Sequence, residues 1–181
     1  MKKDVMGFQD FARLLDRGDM NDISRAIDGI DLNQKAPAFH LPLFHIAVGG
    51  GNMNLIKLML SKGADINIKG SDGADAMFVA GRRGDVDVIK FLVKKGVSVD
   101  TISDETTALA QAVVSGSFNA AKAMLAGEPD ISVKTYEGKI VDLMDKSGKF
   151  KKIVKDYRED EEEIEFLSKT KKLGKYADLL R

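Results

Sequence analysis

A glycine followed by a polar residue recurs along the chain at an almost constant spacing. The pairs are Gly18-Asp19, Gly51-Asn52, Gly84-Asp85, Gly116-Ser117 and Gly148-Lys149. Successive glycines are separated by 33, 33, 32 and 32 residues. Such a period indicates an array of repeated supersecondary units, each of which buries its apolar face by stacking on its neighbours.

Apolar residues at helical spacing stand on both sides of each glycine pair. A short apolar segment precedes the pair, as in residues 43–48, and a longer amphipathic segment follows it, as in residues 55–60. Apolar positions at i, i+3 and i+4 predict helices. We expect the second helix to end in a left-handed cap at Gly63, Gly96 or Gly127. The predicted unit is therefore two helices followed by a short hairpin-like loop.

One copy of the unit is more complete than the others. It contains Pro42-Leu43-Phe44-His45, then Ala47-Val48, Gly51-Asn52 and Gly63-Ala64-Asp65-Ile66-Asn67. This pattern resembles the ankyrin repeat, and the resemblance covers residues 8–158, most clearly 38–132. It implies an all-α fold, an ankyrin-type helical repeat solenoid of about five helix pairs. It also implies that His45 is structural and bonds to loop backbone.

The repeat pattern divides the chain into an array and a tail. We expect the array at residues 1–155, with repeats near 8–33, 38–69, 71–101, 103–133 and 136–158. The period then fails, and residues 156–181 hold five consecutive acidic residues at 159–163 before further apolar residues. We predict charged C-terminal helices that cap the last repeat, because terminal repeats need a polar outer face. An acidic interaction tail is the alternative.

The repeats also predict a core between the helices. Small residues at one position, Ala47, Ala80 and Ala112, are expected to let neighbouring helices approach closely. Larger apolar residues are expected to fill the remaining space, and these are Leu58, Leu60, Phe91, Leu92, Met124 and Leu125.

The ankyrin resemblance further implies a partner-binding face. In this family the concave face is formed by the loop tips and by the outward residues that end each first helix. The corresponding residues of this chain are Phe39, Leu41, Asp72, Arg82, Arg83, Asp104, Val114, Tyr136 and Lys146. We expect Arg82 and Arg83 at the centre, where guanidinium groups would suit the carboxylates of a partner.

Each of these assignments has a structural alternative. Phe39 and Leu41 are apolar anchors in one interpretation, and in the other they pack against the first loop. Arg82 and Arg83 could equally form a solvated helix end, with Asp72, Asp75, Asp85 or Asp87 as local partners.

Composition argues against several classes of function. The chain has no cysteine, and its 28 basic residues balance 28 acidic ones. No basic stripe for nucleic acid and no apolar run of the roughly 18 residues needed for a membrane helix are present. The two histidines, His40 and His45, have no further metal ligands at suitable spacing. We expect a cytoplasmic protein, monomeric when free, without a cofactor or a catalytic site.

Two functions remain from different classes. The first is a protein–protein interaction module or scaffold that binds another protein through its concave face. The second is an immunity or inhibitor protein that blocks a cognate toxin or enzyme, with the acidic run imitating nucleic acid. An enzyme with its chemistry in residues 156–181 is disfavoured, because that segment has no His, Cys or Asn.

Overall fold

Paired helices make up most of the structure. The computed structural model describes residues 7–17, 19–34 and 41–155. The helices in these ranges are α1 (Phe8–Arg17), α2 (Met20–Ala26), α3 (Leu43–Gly50), α4 (Met53–Ser61), α5 (Ala76–Arg83), α6 (Val86–Lys94), α7 (Ala108–Val114), α8 (Phe118–Leu125) and α9 (Ile140–Ser147). A 3-10 turn at Ile27–Gly29 extends α2, and residues 151–155 are again helical.

The first helices of the pairs form one row. Helices α1 and α3 pack together, as do α3 and α5, α5 and α7, and α7 and α9, while α6 packs against α8 in the second row. Two antiparallel hairpins precede α7 and α9, which are the first helices of their pairs. Strand β1 (Ile102–Ser103) pairs with β2 (Thr106–Thr107), and β3 (Lys134–Thr135) pairs with β4 (Gly138–Lys139). The predicted all-α repeat solenoid is confirmed.

In the first four copies the polar residue after the glycine is the N-cap of the second helix. The Asp19 carboxylate accepts hydrogen bonds from two backbone N–H groups of α2, at 2.9 and 3.2 Å. Asn52 does the same for α4 at 3.1 Å, and Asp85 accepts one such bond in α6 at 3.1 Å. These are N-caps, which satisfy N–H groups that lack partners within the helix. Ser117, in the next copy, makes no such side-chain bond.

Burial confirms six of the nine predicted core residues and places the other three at the edge of the core. Ala47, Ala80, Ala112, Leu92, Met124 and Leu125 are all at most 1% exposed. Leu58, Leu60 and Phe91 are only half-buried. Each of them adjoins a fully buried residue, Met59 or Leu92, and one residue along a helix rotates a side chain by about 100°. That rotation turns these three side chains away from the first-helix row.

One predicted helix cap is wrong. Gly63 and Gly96 have the expected left-handed backbone, with φ of +93° and +77°. In the next copy Glu128, not Gly127, is left-handed, with φ of +54°. Gly127 instead lies where the chain passes Val99, because a Cβ added to it would come within 2.7 Å of a Val99 methyl carbon. Glu128 stands 32 residues after Gly96, so the left-handed position keeps the repeat spacing and the glycine precedes it by one residue.

Hydrogen bonds between loops connect successive units. The Asn33 side chain accepts a bond from the N–H of Asp65 at 2.7 Å and donates to the carbonyl of Gly63 at 3.2 Å. In a later loop the Asp100 carboxylate accepts from the N–H of Asp130 at 2.9 Å. Burial raises the pKa of Asp100; the bond from the Asp130 N–H lowers it, and repulsion by the Asp130 carboxylate raises it. These bonds hold two of the loops against the loops that follow them.

The structure describes one of the two histidines of the chain, His45. His45 is 1% exposed, and its Nε2 lies 2.9 Å from the carbonyl oxygen of Ile68 in the following loop. This contact agrees with the structural role that the resemblance implies. His40 lies outside the described residues.

Candidate protein-interaction surface

The ends of the first helices place four candidate residues along one edge. Arg82 and Arg83 end α5, Val114 ends α7, and Lys146 lies in the last turn of α9. All four side chains are exposed, Val114 to 56%. Because α5 packs on α7 and α7 on α9, these ends lie side by side. They form a row that carries positive charge at both ends and an apolar residue between them.

The loop tips add a second row beside the first. Asp72 accepts a hydrogen bond from the N–H of Ala74 at 3.0 Å, which fixes its turn. Asp104 lies in the two-residue turn between β1 and β2, where it and Glu105 have φ of +48° and +60°, as a type I′ hairpin requires. The N–H of Tyr136 donates to the carbonyl of Glu105 at 3.1 Å. Neighbouring tips are therefore joined.

Of the two candidate binding residues at the start of the array, Phe39 and Leu41, the structure describes only Leu41. Phe39 lies outside the described residues, so the structure does not test its role as an anchor. Leu41 is half-buried and directly precedes Pro42, which caps α3. The predicted cap or tail at residues 156–181 also lies outside the described residues.

The guanidinium groups of Arg82 and Arg83 are not neutralised by the nearby carboxylates. Neither takes part in a salt bridge among the described residues. Asp75 and Asp85 serve instead as N-caps of α5 and α6, accepting from backbone N–H groups at 2.9 and 3.1 Å. Asp75 also accepts a hydrogen bond from the hydroxyl of Thr101. Both arginines are exposed, so their charges face solvent.

A polar network around Glu137 was not foreseen from the sequence. Its carboxylate accepts hydrogen bonds from Gln111 at 2.9 Å, Thr106 at 3.0 Å and Thr135 at 2.8 Å. Burial raises the pKa of Glu137, but the bonds from the hydroxyls of Thr135, Tyr136 and Thr106, together with its own backbone, outweigh that effect and lower it. Gln111 also donates to the Tyr136 hydroxyl at 3.3 Å. The ionised carboxylate therefore orients the tip that carries Tyr136.

Exposed apolar side chains mark the same edge. Tyr136 is 65% exposed, and Val114 and Ile102 are each 56% exposed. Ile102, in β1, was missed by the sequence analysis, because its strand is too short for an alternating pattern to show which side faces solvent. An aromatic residue and two aliphatic ones beside free arginines are suited to a protein partner.

The described residues form neither a membrane-spanning helix nor a cluster of metal ligands. Over residues 7–17, 19–34 and 41–155, every helix is too short or too polar to cross a lipid bilayer. The same ranges hold no group of three or more His, Asp or Glu side chains arranged as metal ligands.

Comparison with known proteins gives the family. A family model for ankyrin repeats, with three copies, matches residues 44–135, just over half of the chain. The chain belongs to the ankyrin repeat family. The Notch-regulated ankyrin repeat-containing proteins of Xenopus tropicalis and Xenopus laevis are each 37% identical to it over 51 residues. That match covers 28% of this chain and 45% of each relative, so the chain spans less than half of their length.

Membership gives the general role of the fold. Ankyrin repeats are in general protein–protein interaction modules and are typically non-catalytic. In this ankyrin array the residues that end the first helices differ from copy to copy. They are Gly49-Gly50, Arg82-Arg83, Val114-Ser115 and Lys146-Ser147. The frame of helices is kept while the exposed positions change, as expected when a common scaffold carries an adapted surface.

Proposed function

We propose that this ankyrin repeat protein is a non-catalytic scaffold that binds one partner protein through a concave face. This face would consist of the loop tips Asp72, Asp104 and Tyr136 and the helix ends Arg82, Arg83, Val114 and Lys146. The observation that carries the proposal is the exposed pair Arg82-Arg83, which has no salt bridge among the described residues. The pair ends α5, which packs against α7, and α7 ends at the exposed Val114. Such a strip suits a partner that presents carboxylates next to apolar residues.

We expect the proposed surface to bury the area of a standard interface. Stable complexes bury about 800 Å² on each partner, which corresponds to some 20–30 residues. Arginine and tyrosine are frequent hot spots, and truncating one commonly costs about 2 kcal/mol or more of binding free energy. We expect Arg82, Arg83 and Tyr136 to contribute most, with Phe39 and Leu41 flanking them on the side of the first repeat.

Charge reversal tests the proposal. The partner is captured from a native extract with the wild-type chain, identified by mass spectrometry, purified and titrated calorimetrically. The double variant Arg82→Glu/Arg83→Glu should lose binding by at least about 30-fold, the equivalent of about 2 kcal/mol. Its melting temperature should be nearly unchanged, because neither arginine contributes a salt bridge among the described residues.

The matched control reverses the charge of a lysine on a second helix. Lys57 is exposed on α4, a second helix, so Lys57→Glu should leave the affinity unaltered. If Lys57→Glu abolished binding and the arginine variant did not, the partner would dock on the second helices. If deletion of residues 156–181 alone abolished binding, the tail would be the binding element.

We further propose that the protein acts in the cytoplasm as a monomer and without a cofactor. The absence of cysteine fits a reducing compartment, and the balanced charge gives no attraction to nucleic acid or acidic lipid. Light scattering should give the mass of one chain, 19.8 kDa, and twice that mass would contradict the proposal.

The inhibitor alternative rests on residues 159–163, outside the described residues, and a captured enzyme that loses activity in the complex would favour it.

A further inference from the structure

A groove runs between two second helices, on surface that the proposed partner face does not include. It lies between α6 and α8 and has a volume of about 620 Å³. Its lining runs from Val86 and Asn119, near the N-terminal ends of the helices, to Lys94 and Ala126 near their C-terminal ends. The groove therefore follows both helices for most of their length, which suits an extended or helical segment of chain.

The groove exists because α8 carries small side chains. Ala123 and Ala126 stand 32 residues after Phe91 and Lys94, the equivalent positions of α6. Alanine at both positions leaves unfilled the space that a ring and a long side chain occupy one repeat earlier. Ala126 is exposed and Val93 is half-buried, so the apolar floor is open to solvent.

The rim of the groove is positively charged. Lys90, Lys94 and Lys122 line it, and none of the three forms a salt bridge among the described residues. No carboxylate lines the groove, and Asn119 stands 32 residues after Asp87 of α6, so an amide replaces an acidic group at this position. Three lysines over an apolar floor are complementary to a segment that mixes acidic and apolar residues.

One segment of the chain itself has that chemistry. Residues 159–163 are all acidic, and Ile164, Glu165, Phe166 and Leu167 follow directly. We propose that residues 159–167 dock in the groove between α6 and α8, with their carboxylates on the three lysines and their apolar side chains over the floor.

The connection is long enough for this contact. The rings of Phe118 in α8 and Phe150 lie 5.0 Å apart between centroids, so the helical residues 151–155 begin beside α8. To reach the groove, the chain must pass over α8, whose diameter with side chains is about 10–12 Å. The four residue steps from residue 155 to residue 159 span about 13–14 Å when extended, which exceeds that diameter.

Zero-length cross-linking of the full chain tests the proposal. Carbodiimide joins a carboxylate to a lysine amine in contact with it, and the cross-linked peptides are identified by mass spectrometry. We expect residues 159–163 to be linked to Lys90, Lys94 or Lys122, and not to the exposed Lys57 of α4. Raising the salt to about 1 M, where the Debye length is about 3 Å, should reduce the yield strongly. The proposal would be overturned if residues 159–163 were linked only to lysines of the adjacent segment 149–155. It would also be overturned if they were linked to Lys57 as often as to the three groove lysines.

Isotope labelling and a groove-filling variant complete the experiment. In a mixture of heavy and light chains, heavy–light links would mean that a second copy supplies the segment, which also overturns the proposal. Ala126→Phe fills the groove from an exposed position and changes no charge, so the yield should fall by about tenfold. If circular dichroism shows that Ala126→Phe disturbs the fold, Ala126→Leu is used in its place. A cross-linking yield equal to that of the wild type in whichever variant is folded would refute the docking. Partner binding through Arg82 and Arg83 should be unchanged in either variant.

Discussion

Replacing Glu128 by glycine is expected to stabilise the protein. Glu128 has a left-handed backbone with φ of +54°, at the position that Gly63 and Gly96 occupy in earlier repeats. A residue with a Cβ atom pays about 1–2 kcal/mol in this conformation, whereas glycine loses about 0.5–1 kcal/mol more chain entropy on folding. The Glu128 side chain is exposed and forms no salt bridge among the described residues, so little else is lost. The net gain should be about 0.5–1 kcal/mol.

Urea and thermal unfolding, followed by circular dichroism, measure this gain. For a chain of this size 1 kcal/mol shifts Tm by about 2–4 °C, so Glu128→Gly should raise Tm by about 1–4 °C. Glu128→Ala is the matched control, because it removes the carboxylate but keeps the Cβ atom, and it should gain much less. Gly96→Ala should lose about 1 kcal/mol at φ of +77°. If Glu128→Ala stabilised as much as Glu128→Gly, the gain would come from the charge, and the backbone argument would be refuted.

Two further substitutions test packing and electrostatics. Leu92→Ala should cost about 2–5 kcal/mol of unfolding free energy, because Leu92 is fully buried, whereas Leu58→Ala, at a half-buried position, should cost less than about 2 kcal/mol. Equal losses in urea melts would contradict the different burial of the two leucines. Asp100→Asn should raise Tm at pH 7, because the pKa of Asp100 is raised mainly by burial and the ionised carboxylate is therefore disfavoured in the folded state. That advantage should fade as the pH falls through the raised pKa, and an advantage that grew toward low pH would contradict the argument.

The sequence determined the repeat and its local structure. The glycine period marks the turn between the paired helices, and the polar residue after it caps the second helix, as Asp19, Asn52 and Asp85 do. These features are readable because a cap bonds to N–H groups only two or three residues away, so no distant part of the chain is needed. The repeat register also places Asp72 and Tyr136 at tips and Arg82 at a helix end, although their part in binding stays a prediction.

The tertiary structure decided which positions of the repeat face the core and which residues of different repeats meet. Leu58 is half-buried like Phe91, 33 residues later, and Met59 is fully buried like Leu92. Which of the two adjacent positions faces the core depends on how each helix is rotated against its neighbours. The network on Glu137 joins Gln111 and Thr106 to a tip about 30 residues away. The groove beside α8 likewise needs two helices from different repeats. Contacts between repeats depend on side-chain shape and distance across the stack, and these are properties that no single copy of the motif contains.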